Sequence, residues 1–245
     1  MSFRSKVRMS SDKYLDQDLD SEKRFRKRVD FFINHVMIPE SSTILVVGCG
    51  NGYEALCMQN RSRSFVVGLD LNLTQKAGHA QGVDYIHADA QHLPIRTKVL
   101  DCCYCYHAIE HVGDHHKLID ETSRVLKTEG TLYLATPNRN RLIGYIMSAH
   151  AHSLSTLIRW NLREWFARLK GDFLPEKGYH CGFTAKQLYQ SLTLRFAKIC
   201  FLSEQYDLEM AAGTKYIPLV QLLKNTHLLQ VIAPSHTLYC QEPLA

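Results

Sequence analysis

No apolar run in this 245-residue chain approaches the roughly 18 residues that a membrane-spanning helix needs. Met1 to Ser11 also lacks the apolar core of a secretory leader. The expectation is a cytoplasmic protein. Internal repeats and low-complexity tracts are missing, so nothing marks a linker and residues 1–245 read as a single domain, opening with a helical segment over 1–40. The cysteines number eight, but Cys102-Cys103-Tyr104-Cys105 has no distant Cys/His pair at zinc-ligand spacing. Several of them (Cys102, Cys103, Cys105, Cys200) fall in expected strands and read as reduced, buried thiols. A stacking module of aromatic and basic residues is absent as well, leaving no strong nucleic-acid signal, although a net charge of +5 permits contact with anionic surfaces.

What is present centres on Ser42-Thr43-Ile44-Leu45-Val46-Val47-Gly48-Cys49-Gly50-Asn51-Gly52. An unbroken apolar strand suits a parallel sheet covered on both faces, and the glycines that follow let a backbone turn approach a ligand without side chains in the way. Dinucleotide sites need G-x-G-x-x-G so that a pyrophosphate rests on the next helix. The third glycine is missing here, and bulky Tyr53 stands in its place. That disfavours a dehydrogenase and favours S-adenosylmethionine. Ser64 to Asp70 forms a second apolar strand ending in a carboxylate 20 residues beyond Gly50, the spacing at which an acid accepts both ribose hydroxyls.

Strands expected at 43–48, 64–69, 83–87, 99–106, 130–136, 196–202 and 236–241 alternate with helices in the order of a doubly wound, mostly parallel seven-stranded sheet. Glu22 to Met37 presents Phe25, Val29, Phe32, Ile33 and Val36 on one helical face, and a helix of about 53–61 follows the glycine turn. Asp114 caps a helix with Leu118, Ile119, Thr122, Val125 and Leu126 inward and Gly130 as its stop. Thr184 caps another, and an apolar helix spans Pro218 to Lys224.

The run ILVVGCGNG, the strand end at Asp70, the segment Tyr104 to Val112 and Ala135-Thr136-Pro137-Asn138-Arg139-Asn140 together resemble the Rossmann-like S-adenosylmethionine-dependent methyltransferases, and among them the ubiquinone-biosynthesis O-methyltransferase type. The resemblance runs from about Arg28 to Asn140. It implies that Gly48 and Gly50 hold the methionine part of the cofactor, Asp70 the ribose, and Asp89 and Ala90 the adenine, with Cys49 and Leu71 also at the cofactor site. It also implies that the Tyr106 carbonyl meets the cofactor's amino group and that Arg28 meets its carboxylate. A zwitterionic ligand needs such a cation, carbonyl and set of amides. Arg28 also reads as one solvated charge in a basic helical run.

Methyl transfer from a sulfonium asks mainly for positioning, and a hydroxyl acceptor gains from a base. His107, Glu110 and His111 are the candidates, at the sheet edge where open α/β folds bind ligands. With His115, His116 or His180 they could hold a divalent metal; related enzymes carry Glu-x-x-Glu-His here, and this chain has His107 in place of the first glutamate. Residues 141–182 read as an inserted helical cap that sets the acceptor. Within it Leu154, Leu157, Ile158, Asn161, Leu162, Trp165, Phe166 and Leu169 recur at helical spacing beside Arg159, Arg163, Arg168 and Lys170. Packing of this face on the domain is the expectation, with peripheral membrane contact through 154–170 as the alternative. The reading is therefore a methyltransferase for a small, lipophilic or aromatic hydroxyl acceptor. An RNA 2′-O-methyltransferase and a non-catalytic cofactor-binding or partner module stay open beside it.

Overall fold

The computed structural model describes residues 23–73, 82–144, 154–177, 179–214, 216–226, 228–229 and 233–244. Helix α1 covers 23–35, followed by β1 (Thr43–Val47), α2 (Tyr53–Ser62), β2 (Phe65–Asp70), β3 (Val83–His87), β4 (Leu100–Tyr106), α3 (His115–Val125) and β5 (Leu126–Pro137). Then come α4 (Leu154–Leu169), α5 (Ala185–Leu192), β6 (Phe196–Phe201), α6 (Ser203–Ala211), α7 (Ile217–Asn225) and β7 (Ser235–Pro243). The sheet order is β3-β2-β1-β4-β5-β7-β6. Strands β1 to β5 are parallel, whereas β7 inserts antiparallel between β5 and β6. The order reverses at β1 and β4, so their C-terminal ends open the crevice in which such sheets bind ligands.

Both faces of the sheet are covered. Alternate residues of one strand explain it: Ile44 and Val46 join α1 and α2 through Val29, Phe32 and Met58, while Leu45 and Val47 join α3 and α5 through Leu118, Ile119 and Leu188. Phe31 is buried along with the α1 face expected from periodicity. Asp114 accepts from the backbone of His116 and Lys117 as the cap of α3, and Thr184 with Gln187 forms a capping box on α5.

Three expectations need correction. Gly130 does not end α3: the helix stops at Val125, and β5 begins at once with Leu126. Pairing with β4 passes from Leu100 and Leu126 to Cys102 and Thr131, so residues 127–130 bulge out of the ladder. A Cβ on Gly130 would lie 2.8 Å from the Lys127 carbonyl, which is why glycine sits in that bulge. Cys200 is exposed on β6, whereas Cys102, Cys103 and Cys105 are buried thiols. The third correction concerns α4, whose inward face is polar. Asn161, Glu164 and Ala167 are buried, and Glu164 pairs with Arg141 at 2.6 Å. Asn161 accepts from Gly144 N and donates to its carbonyl. Ile158, Leu162, Trp165, Phe166 and Leu169 face solvent instead. A buried ion pair and amide contacts with 141–144 set the roll of this helix, because leaving Glu164 unpaired would cost more than leaving an apolar stripe wet. The start of the cap at 145–153 and the loop at 74–81 lie outside the described residues.

Candidate active site

The glycine turn leaves β1 with Gly48 at φ +73° and Gly50 at φ +51°. At Gly48 a Cβ would come within 2.5 Å of Ala108 Cβ, so this glycine lets the turn pack against the end of β4. Around Gly50 the space is open, as a cradle for a ligand requires. The Gly50 amide donates to Asp70 Oδ2 at 2.7 Å, and Asn72 donates to Oδ1 at 2.7 Å. Two backbone donors thus fix the carboxylate at the lip of β2 while each oxygen keeps a free lone pair. Cys49 turns its thiol into the core, where burial and then Asp70 push it up to about 12, so only its backbone faces the turn.

Leu71 is exposed beyond Asp70, and its carbonyl meets His87 Nε2 at 2.6 Å. Asp89 accepts from the backbone and side chain of Gln91, which holds its carboxyl below the ordinary value, and Ala90 packs against the core. These two lie one strand further along the same edge. On the other side, Arg28 folds over the Tyr106 ring at 4.4 Å instead of reaching into solvent. Burial opposes its charge, but Tyr106, Glu54 and Tyr206 more than compensate and leave its pKa raised. Tyr106 shares a 2.7 Å hydrogen bond with Tyr206, and Tyr104 donates to Glu54 at 2.7 Å. Sequence reasoning missed Glu54 and Tyr206. Glu54 was readable only as a helix-start acid, and Tyr206 arrives from α6, 100 residues beyond Tyr106.

His107, just past β4, has a left-handed φ of +52°, unusual for a residue with a Cβ. Its amide donates to the Ala135 carbonyl at 2.8 Å, and its ring lies 4.6 Å from that of Tyr106. This turn brings Nδ1 to 3.2 Å from Glu110 Oε1, while Thr136 Oγ1 donates to Oε2 at 3.0 Å. Glu110 is 3% exposed and His107 34%. Burial pushes the Glu110 carboxyl up, but His107 close beside it, with Thr136, outweighs that and holds the group below its ordinary value, although Oε1 has no hydrogen-bond partner. Nε2 of His107 is 3.5 Å from Ser235 Oγ. Thr136 and Ser235 were not singled out by sequence, because only the β5–β7 pairing brings them beside β4.

His111 is exposed and packs edge-on against His180 at 5.1 Å, and His180, whose pKa burial lowers, also feels Glu110 and His107. His115 and His116 stack on each other on α3. Among the described residues no three His, Cys, Asp or Glu side chains gather as a metal ion requires, which leaves the anticipated divalent site without a ligand set there. A cavity of about 560 Å³ reaches Glu110 and is lined by apolar Ile109, Val112 and Phe183 as well as polar Arg139 and Gln187, with His107 outside its lining. Pro175 and Cys181 to Phe183 contribute to that cavity, whereas Trp165 and Phe166 do not line it.

Residues 45–134 match the model of a methyltransferase domain. A protein of Mycolicibacterium smegmatis described as a probable S-adenosylmethionine-dependent methyltransferase is 33% identical over 100 residues, covering 39% of this chain and 38% of the relative. The chain thus spans less than two fifths of that relative's length. The ubiquinone biosynthesis O-methyltransferase of Chromobacterium violaceum is 25% identical over 174 residues, 66% of this chain and 72% of that protein. Among solved structures, the complex of the Haloferax volcanii Trm112 methyltransferase activator with its methyltransferase matches with a TM-score of 0.58, 17% identity, and 94% and 95% of the two chains covered. That likeness speaks to the fold. Residues 45–134 are thus similar to a methyltransferase domain, on a fold shared with solved methyltransferases, and the glycine turn, Asp70 and the β4 edge lie inside the matched stretch.

Proposed function

We propose that this protein methylates a hydroxyl group of a small, lipophilic or aromatic acceptor, with His107 as the base and Glu110 as the group that positions it. The carrying observation is the chain Thr136–Glu110–His107 at the C-terminal end of β4, next to the glycine turn. The donor set suits the cofactor: the open Gly50 backbone and Arg28 for the methionine end, Asp70 for the ribose, and Asp89 and Ala90 for the adenine. When bound, S-adenosylmethionine supplies a methyl carbon activated by the neighbouring sulfonium.

The residues of this chain then have two tasks. Glu110 Oε1, buried 3.2 Å from His107 Nδ1 and without a hydrogen-bond partner, would take Nδ1–H on a small turn of the ring and so fix the tautomer, and Nε2, once it gives up its 3.5 Å contact with Ser235 Oγ, would take the acceptor's hydroxyl proton. Ile109 and Phe183, which line the cavity with Glu110, would help to align the oxygen. The ubiquinone-type relative supports a lipophilic or aromatic acceptor, and the 560 Å³ cavity, which reaches Glu110 but not His107, has Ile109, Val112 and Phe183 in its lining. The test is methyl transfer from labelled S-adenosylmethionine to a panel of phenols and catechols, with calorimetric titration of S-adenosylhomocysteine and NAD alongside. Label in a methyl ether with cofactor binding supports the reading; binding of NAD in preference, or label only in amines or carbon acceptors, overturns it.

A further inference from the structure

The outward face of α4 has no task in that chemistry, and its composition is unusual for a surface. Ile158, Leu162, Trp165, Phe166 and Leu169 form one continuous stripe, with Phe166 59% and Leu169 83% exposed. Leu142 and Ile143 extend it, and the Trp165 indole donates to the Leu142 carbonyl at 2.7 Å, tying the loop to the helix. One contiguous apolar patch of this size marks an interaction surface. Its flank is basic: Arg159, Arg163 and Lys170 follow one edge of the stripe. The only carboxylate of the helix, Glu164, is turned inward against Arg141. Beside Phe166 a cleft of about 490 Å³ is lined by Arg163, Lys170, Lys177 and Tyr179, with Asp172 engaged by Lys177.

We propose that this face docks on an anionic lipid bilayer, with the stripe inserted at the acyl-chain boundary and headgroup phosphates held by Arg159, Arg163 and Lys170. The polarity of the helix favours that occupant. An α4 lying in the interface has its apolar side toward lipid, aromatic Trp165 at headgroup depth and cations beside it. A second copy of the chain fits less well, since a symmetric contact of two such faces would set the same arginines and lysines against one another with no exposed α4 carboxylate to answer them. The site is independent of the reaction assigned to Glu110.

Flotation of the full chain with phosphatidylcholine vesicles, and with equal mixtures of phosphatidylcholine and phosphatidylglycerol, tests it without any assay of activity. Binding should require phosphatidylglycerol and weaken with salt. The double variant Phe166→Ser with Leu169→Ser, both on exposed side chains, should cut the floated fraction about tenfold at unchanged melting temperature, and Arg159→Glu with Lys170→Glu should do likewise. Equal binding to neutral vesicles, no binding of the wild type, or undiminished binding of both variants overturns the proposal. So does a wild-type dimer in sedimentation velocity that the Phe166/Leu169 variant dissolves, which would assign the face to a second copy.

Discussion

Replacing Glu110 with Gln separates positioning of the base from cofactor binding. Gln keeps the length of the side chain, so its carbonyl oxygen can still accept from Thr136 Oγ1, now 3.0 Å from the carboxylate. Opposite His107 Nδ1, at 3.2 Å, the charge is gone. Oε1 makes no hydrogen bond, so what is lost is the attraction of a partly exposed ion pair, and the stability loss should be at most about 1 kcal/mol. Turnover should suffer far more. Positioned acid–base groups contribute about 10²–10⁴-fold, and with His107 present but no longer held in one tautomer the expected fall in kcat is roughly 100-fold. Calorimetric affinity for S-adenosylhomocysteine should stay within about twofold, as Asp70, Gly50 and Arg28 are untouched. The pH dependence adds a check. Glu110 has its carboxyl below the ordinary value of 4.5, so its contribution to stability is complete above that pH and is lost as pH falls through the lowered folded value. The variant should lack that acid-side loss. Parallel losses of cofactor affinity and turnover, or a kcat equal to wild type, would refute the assignment.

Asp70→Ala should weaken cofactor binding by two ribose hydrogen bonds, about 1–3 kcal/mol in all, measured by calorimetry on a variant whose circular dichroism is unchanged; unaltered affinity would count against Asp70. Gly48→Ala should destabilise by about 1–3 kcal/mol in urea unfolding, because φ is +73° and the new methyl would meet Ala108 at 2.5 Å. Asp207 is 5% exposed with Oδ2 unpartnered, and burial pushes its carboxyl up to about 7 from 3.8. The folded state therefore holds a proton that the unfolded state releases, and stability should decline as pH rises from about 4 to 7. Asp207→Asn should flatten that decline, visible as a narrower spread of urea midpoints between pH 5 and 8; an unchanged slope would show that Asp207 is not its source.

Periodicity and glycine chemistry in the sequence alone determined the doubly wound sheet, the turn after β1 and the carboxylate ending β2. Those features are local: an apolar run, a turn needing positive φ and an acid one strand further on are all written within 30 residues of Gly48. His107 and Glu110 were legible for the same reason, since three residues of chain hold them together. The tertiary structure decided what joins them from afar. Thr136 and Ser235 reach the pair through strand pairing, and Tyr206 reaches Tyr106 through α6, contacts that no spacing announces. Only packing could settle α4 as well. Helical spacing marked an apolar stripe, but the buried partnership of Glu164 with Arg141 and of Asn161 with Gly144 turned the polar side inward, because desolvated charge must be paired while apolar area on a surface can wait for a partner.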